Sequence, residues 1–424
     1  MIQTLKNAWK IPDLRRKILY TFMMLAIFRL GSVIPVPGVD INYVKSIVNN
    51  AGLLSFFDLV SGGAFGNMTI FALSISPYIT SSIIMQLLTI AIPSLEALAK
   101  EGEEGSKKIA QYQRYATIIL ALIQATGISV GLFRGALINQ DTFSIIVVIL
   151  TLTAGTAFLM WLGEQITEKG IGNGISLLIF AGIIASLPSS LFTTFALTKA
   201  GQINPLAIIL FIVIAIAMIV AVVAIEAGTR KIPVQYAKRV VGRKMYGGQS
   251  SHIPLKVNQS GVMPVIFAMS LLQFPHTIAY FIGSEGGFAK FLNTWLSPTG
   301  MPGVFIYNLL SAVLIIFFTY FYTAITFNPV EISNNMKQNG GFIPGIRPGK
   351  PTADYINKIL TRITLSGAVF LAIITIVPTI VLGITHIPIS FGGTTIIIIV
   401  GVALETMKQI EAQLLMRHYQ GFLK

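Results

Sequence analysis

Apolar residues run along this chain in blocks of about 17 to 25, the length a helix needs to cross the hydrocarbon core of a bilayer. Ten such blocks are present, at 18–35, 68–92, 114–133, 143–163, 174–190, 204–226, 260–282, 303–326, 363–384 and 392–412. The pattern predicts an all-α polytopic membrane protein with ten transmembrane helices. Lys6, Lys10, Arg15, Arg16 and Lys17 precede the first block in the manner of a signal peptide. Pro35-Val36-Pro37-Gly38 follows it, not a small-residue cleavage site, so the block is expected to remain as a span.

Composition agrees with the pattern. Of 424 residues, 54% are hydrophobic and 11% charged, against about 25% charged in soluble proteins. The absence of cysteine excludes disulfides and thiolate chemistry. The histidines, at 252, 276, 386 and 418, are scattered without metal-ligand spacing.

The net charge of +14 is mostly a matter of topology. With the N-terminus inside, 25 of the 30 Lys and Arg lie on the inner side. Only Lys45, Arg134, Lys199 and Lys290 lie outside, and Arg29 falls within the first span. That asymmetry predicts cytoplasmic termini. The basic residues also concentrate. Arg230, Lys231, Lys238, Arg239, Arg243, Lys244 and Lys256 share the connector 227–259; Lys337, Arg347, Lys350, Lys358 and Arg362 share the connector 327–362. The first of these reads as two extended arms, Lys231–Ala237 and His252–Asn258, around a tip with Gly242, Gly247 and Gly248. Two readings fit: a hairpin that docks an acidic partner or RNA, or a solvated connector obeying the positive-inside rule.

Motifs for chemistry are missing. There is no GxxxxGK[ST], HExxH or GxSxG string. Gly170-Ile171-Gly172-Asn173-Gly174 opens the fifth span instead of following a strand, which rules out a dinucleotide fingerprint. Within the spans the clearest ionisable residues are Arg29 and Glu405, with Glu164 and Glu226 at cytoplasmic ends. So sparse a set argues against ion-coupled transport and against an intramembrane hydrolase.

Two features remain. The apolar stretch Ala51–Val60, followed by Ser61-Gly62-Gly63-Ala64-Phe65-Gly66, is too short to cross. It reads as a movable stopper in a pore or as an interfacial helix on the outer leaflet. The second span holds Pro77-Tyr78-Ile79 with Gln86 seven residues past the isoleucine; the seventh holds Pro264-Val265-Ile266 with Gln273 at the same spacing. Five spans separate them, which suggests two inverted halves with a path at their interface. Ordinary kinked helices with a bonded Gln explain the echo equally well.

Several strings carry a family resemblance. They are Arg29-Leu30-Gly31-Ser32-Val33-Ile34-Pro35-Val36-Pro37-Gly38, Ile75-Ser76-Pro77-Tyr78-Ile79, Gly170 to Ser176 with Phe180-Ala181-Gly182, Gly345-Ile346-Arg347-Pro348-Gly349 and Gly392-Gly393-Thr394. In that order, over the whole length, the chain resembles the SecY family of bacterial protein-conducting channel subunits. Ser74 stands where the family often has Gly, a departure expected to touch nothing functional.

The resemblance implies an hourglass of two inverted five-helix halves, 1–190 and 191–424, opening sideways between the second and seventh spans. It implies a pore ring at Ile75, Ile79, Ile179, Ile183, Ile266 and Ile398. A plug would lie at Leu53–Gly66, through Leu53, Leu54, Phe56, Phe57, Leu59, Val60, Gly62 and Gly63. The lateral gate would use Pro77, Thr80, Gln86, Pro264, Ser270 and Gln273. Arg239, Arg243, Lys244, Arg347 and Lys350 would dock the SecA motor or the ribosome. Implied partners are the small subunits SecE and SecG, signal peptides, unfolded secretory or membrane chains, and the lipid of a bacterial plasma membrane; no enzyme activity, metal or cofactor is implied. A ring of stiff β-branched side chains can seal around any passing chain and dewet when empty, which is why such a site carries no reactive group. A solute transporter is the alternative function, and a scaffold or insertase without an aqueous path a third.

Overall fold

The structure is a computed structural model and describes every residue except 1, 51–57, 59–60, 202–203, 237–238, 242–243, 247–249, 283–286, 297–302, 386–392 and 422–424. A short helix α1 (Ile2–Lys10) packs on α2 (Pro12–Gly31), and α3 (Ile41–Asn50) follows. Then come α4 (Ser76–Ala91), α5 (Pro93–Lys100) and α6 (Glu103–Thr126), which continues as a π-helical stretch, Gly127–Leu132. Helices α7 (Thr142–Lys169), α8 (Gly174–Lys199) and α9 (Pro205–Ala227) complete the first part. Strands β1 (Thr229–Tyr236), β2 (Arg239–Val241), β3 (Lys244–Tyr246) and β4 (Ser250–Lys256) lead into α10 (Met263–Ile282), α11 (Gly287–Trp295) and α12 (Gly303–Thr326). The chain ends with α13 (Pro329–Gln338), β5 (Gly341–Phe342), α14 (Lys350–Thr385) and α15 (Gly393–Gly421).

Every predicted span falls on a helix, and the protein is an all-α polytopic membrane protein with a small sheet on one side. Among the described residues seven helical segments are long and apolar enough to cross a membrane, or eight if α4 and α5 form one span broken by 99°. The charged residues Arg15, Arg16, Lys17 and Arg29 keep α2 out of that count. Helix α9 shows what lipid does to sequence: Leu206, Ile209, Leu210, Ile212, Val213, Ile216 and Val220 are all exposed, a pattern stable only if that face meets hydrocarbon.

Three expectations need correction. The second span does not begin at 68: helix α4 starts at Ser76, and residues 61–75 are turns. Met68 and Ser74 have φ of 44° and 53°, which no α-helix accepts. Residues 68–70 bond to the loop after α2 instead. Val36 N–H donates to the Met68 carbonyl at 2.9 Å and Ile70 N–H to the Ile34 carbonyl at 3.0 Å. Pro77 then sets the helix start, where its missing N–H is harmless. The departure at Ser74 thus falls on a left-handed backbone position that glycine takes without steric penalty.

The division at 190/191 would cut a continuous helix, since α8 runs through Pro188 to Lys199. Finally, the connector 327–362 is largely ordered structure. Its last part is the first turns of α14, whose 36 residues make a rod of roughly 54 Å.

The two basic connectors also meet. Strand β1 pairs antiparallel with β4 from Thr229↔Lys256 to Gln235↔Ser250, and with β5 at Gln235↔Phe342 and Tyr236↔Gly341. The expected arms 231–237 and 252–258 correspond to β1 and β4, and the tip holds a further ladder, β2 with β3. Under the sheet Ile232, Val234, Leu255, Met336, Ile343, Ile356 and Ile359 form a separate core, so this basic body packs like a small soluble domain.

Candidate functional site

The largest core sits where helices from both parts of the chain converge. Ile75 caps α4, Ile179 and Ile183 lie on α8, Ile266 on α10 and Ile398 on α15; all five are buried in one cluster, and the half-buried Ile79 of α4 packs against it. Six isoleucines spread over more than 320 positions of sequence thus belong to one contiguous apolar cluster. Each lies in or at the end of a helix, where a β-branched side chain is restricted to very few rotamers. Beside them a cavity of about 130 Å³ lies between α4, α8 and α10, lined by Tyr78, Ile79, Ser82, Asn173, Ser176, Ile179, Met263, Ile266 and Phe267. The waist is apolar and its neighbouring cavity is partly polar.

Helices α4 and α10 pack directly on each other, and the π-helical end of α6 packs on α10 as well. Pro77 and Pro264 are buried at the starts of these two helices; Thr80 and Ser270 are half-buried. The Thr80 hydroxyl donates to the Ser76 carbonyl at 3.1 Å, and Gln86 Nε2 to Ser82 Oγ at 3.3 Å. The side chain of Gln273 lies outside the described residues.

Of the expected plug, Leu53, Leu54, Phe56, Phe57, Leu59 and Val60 lie outside the described residues. Its base, Asp58 and 61–66, is well defined. Gly66 N–H donates to Asp58 Oδ1 at 2.6 Å, and Gly63 N–H to the Asp58 carbonyl at 2.8 Å. The Ser61 hydroxyl donates to the same carbonyl and accepts from Phe65 N–H at 3.0 Å. Burial pushes the Asp58 carboxyl above its ordinary range, opposed by the Gly66 N–H and by the charge of Lys45. Gly62 and Gly63 both have left-handed φ, 70° and 86°. The string Arg29–Gly38 clasps this base. Gly31 leaves room for the Phe71 ring, Pro35 bridges Thr69, and Arg29 donates from Nη1 to the Gly62 carbonyl at 3.2 Å.

The glycine-rich string before α8 is a joint, not a phosphate cradle. Its N–H groups are taken by side chains of three helices. Ile171 donates to Thr21 of α2 at 3.0 Å, Gly172 to Gln409 of α15 at 2.7 Å and Gly174 to Thr167 of α7 at 2.9 Å. A second joint ties the hairpin to α9 and α15. Buried Asn258 donates to Glu226 Oε1 at 2.5 Å and to the Gly261 carbonyl at 3.0 Å, while Lys408 Nζ donates to the Glu226 carbonyl at 2.8 Å. Sequence reasoning passed over Thr21, Gln409, Asn258 and Lys408. Their partners are remote in the chain, and the only local signal was the run of free loop N–H groups.

On the body built by the two basic connectors Arg230, Lys231, Lys337, Arg347, Lys350, Lys358 and Arg362 are exposed. Arg347 sits in a turn held from both sides. Gly345 and Gly349 have φ of 83° and 97°, Ser333 Oγ donates to the Gly349 carbonyl at 2.7 Å, and Thr352 Oγ1 to the Arg347 carbonyl at 2.9 Å. Arg243 and the side chains of Arg239 and Lys244 lie outside the described residues. No cluster of metal-ligating side chains occurs among the described residues.

The model of one family, SecY, matches residues 69–407. The protein translocase subunit SecY of Halalkalibacterium halodurans is 49% identical over the full length of both chains. That of Streptomyces scabiei is 48% identical, again over both full lengths. The chain belongs to the SecY family. Solved structures share the fold at lower identity. A protein-conducting channel superposes with TM-score 0.67 at 21% identity, covering 94% of this chain and 92% of that one. A SecY protein, whose plug domain stabilises the closed state of its channel and maintains a membrane seal, gives 0.66 at 21% over the same shares.

Proposed function

We propose that unfolded polypeptide threads this chain through the isoleucine waist, between two inverted halves of five spans each, 1 to about 200 and the remainder. As a SecY-family member the chain is the protein-conducting channel subunit of a translocase, moving polypeptides across the membrane without catalysing a reaction. That membership displaces the transporter and scaffold alternatives.

The observation that carries the threading path is the convergence of Ile75, Ile79, Ile179, Ile183, Ile266 and Ile398 from both halves on one apolar cluster. Such a ring excludes water when empty and yields to any side chain, so it seals without recognising. Segment 53–66 is its plug. Lateral release would occur where α4 meets α10, since that contact is helix against helix with no backbone ladder to break. A segment sampling lipid there gains about 0.3–0.6 kcal/mol for each central Leu or Ile, and a charge costs about 2.5–3.5.

Docking of the ribosome and the SecA motor is assigned to Arg239, Arg243 and Lys244 together with the exposed Arg347 and Lys350. SecE and SecG are assigned to the lipid-facing helices. The Lys and Arg asymmetry supports cytoplasmic termini in a bacterial plasma membrane.

The chain has no cysteine, so single cysteines at the six isoleucines can be tested against a clean background. A stalled secretory chain should crosslink to all six and not to a control on the lipid face of α9, such as Ile212. Crosslinks confined to the outer wall would remove the threading path.

A further inference from the structure

Arg29 is a cation set inside an apolar span, where charge persists only with compensation. No carboxylate supplies it: the ion pairs among the described residues are Glu96–Lys100, Glu103–Lys107 and Glu164–Arg114. Its guanidinium meets backbone instead, donating to the Gly62 carbonyl at 3.2 Å. Gly62 is itself wedged. A Cβ there would lie 2.8 Å from Gly182 Cα, 2.9 Å from the Gly182 carbonyl oxygen and 2.9 Å from Arg29 Nη1. Gly182 is in α8, next to Ile183 of the waist. The turn at Gly62 is therefore pressed between a charged side chain of α2 and the bare backbone of α8. The remaining hydrogen bonds of this turn are largely internal, running from Asp58 and Ser61 to residues 63–66.

We propose that Arg29 is a positioning residue for the seal: its charged hydrogen bond to the Gly62 carbonyl latches the base of the 53–66 segment onto Gly182, beside the waist. The proposal rests on the plug reading of that segment. A charge-assisted bond is about twice as strong as a neutral one, and low dielectric strengthens it further. The latch is also reversible. Once Gly62 moves off, the guanidinium can turn to water in an opened channel, so unseating does not strand a buried charge. The close fit at Gly62 makes the latch all-or-none, because a turn displaced by a side chain's width loses both the carbonyl bond and the backbone contact.

The test uses the complete translocase complex in vesicles, reading ion leak and export of a substrate with a defective signal sequence. Arg29→Gln keeps a donor and removes the charge; it should raise leak about tenfold and pass the defective substrate. Arg29→Lys, retaining charge without the fork, should fall between it and the native protein. Gly62→Ala, which leaves α2 untouched, should match Arg29→Gln. Deleting 53–66 should raise leak at least as far, and Arg29→Gln should then add nothing, as expected of residues acting through one contact. The latch is overturned if Arg29→Gln adds its own increment to the deletion, or leaves leak unchanged while the deletion raises it. If the deletion itself has no effect, the plug reading fails. The latch is then judged by hydrogen exchange at the Gly62–Gly66 amides, which Arg29→Gln should accelerate; unchanged protection would refute it.

Discussion

Isoleucine fills two cores in this molecule, and they are anchored in different ways. At the proposed waist Ile75, Ile179, Ile183, Ile266 and Ile398 arrive on four helices whose sides simply lie together. In the basic body Ile232 sits in the β1–β4 ladder, Ile343, Ile356 and Ile359 pack against it from the turn after β5 and from α14, and the neighbouring turn is tied by Ser333 to Gly349 and by Thr352 to Arg347. Helix faces that touch only through side chains can part without breaking backbone hydrogen bonds, whereas a sheet cannot. The same residue type therefore makes a core that can open and a core that stays shut. On the proposed threading path the opening core would admit any chain, while the fixed one presents charge at set positions.

Substituting the two cores separately tests this contrast most strongly. Ile79→Asn combined with Ile266→Asn places amides in a dry constriction and lowers the cost of wetting it by roughly 1–3 kcal/mol each. Ion leak through reconstituted complexes should rise at least about thirtyfold, and signal-sequence stringency should relax. Ile356→Ala, in the fully buried core of the body, should instead destabilise the body by about 2–5 kcal/mol and weaken docking while leak stays at the native level. If the two substitutions leak alike, the cores are not functionally distinct.

Arg347→Glu examines the fixed core through what it presents. The side chain is exposed on a turn that the substitution leaves intact. Charge reversal at the centre of a basic face should slow motor- or ribosome-coupled translocation about tenfold, with leak and assembly unchanged. Normal translocation would move docking elsewhere on the molecule.

The spans around the openable core were readable from sequence, and of the fixed core its two extended arms, β1 and β4. Runs of apolar residues mark α7, α9 and α12 plainly, because in lipid the length of a helix is set by the bilayer. The echo of Pro77-Tyr78-Ile79 and Pro264-Val265-Ile266 singled out two helices that do pack together. Periodicity was blind to partners. Nothing local links Gly172 to Gln409, or β1 to the two residues of β5, since those pairings are decided by tertiary contact. The start of α4 was misplaced for the same reason: residues 68–75 are apolar enough for a span, but hydrogen bonds to Ile34 and Val36 hold them out of a helix. The six isoleucines were named through family resemblance, as an isoleucine at a waist and one facing lipid are identical in sequence.

The smallest expected effect concerns the edge of the openable core, at Asp58. Its carboxylate accepts the Gly66 N–H and is buried, and burial raises its pKa despite that bond and the charge of Lys45. A carboxyl whose pKa is raised in the seated form favours that form when protonated, and this contribution fades as pH climbs through the raised value. Leak should accordingly decline as the outer face is acidified toward that value. Asp58→Asn keeps an acceptor for Gly66 N–H without a charge to bury. It should therefore show at neutral pH the lower leak that the native protein shows only in acid, and lose the pH dependence. Vesicles holding the native complex and the Asp58→Asn variant, titrated on the outer side alone, would read this directly. A native leak that rises with acid would mean that the Gly66 bond to the ionised carboxylate outweighs its burial. The base of the plug would then resemble the fixed core, held by its hydrogen bonds, more than the waist beside it.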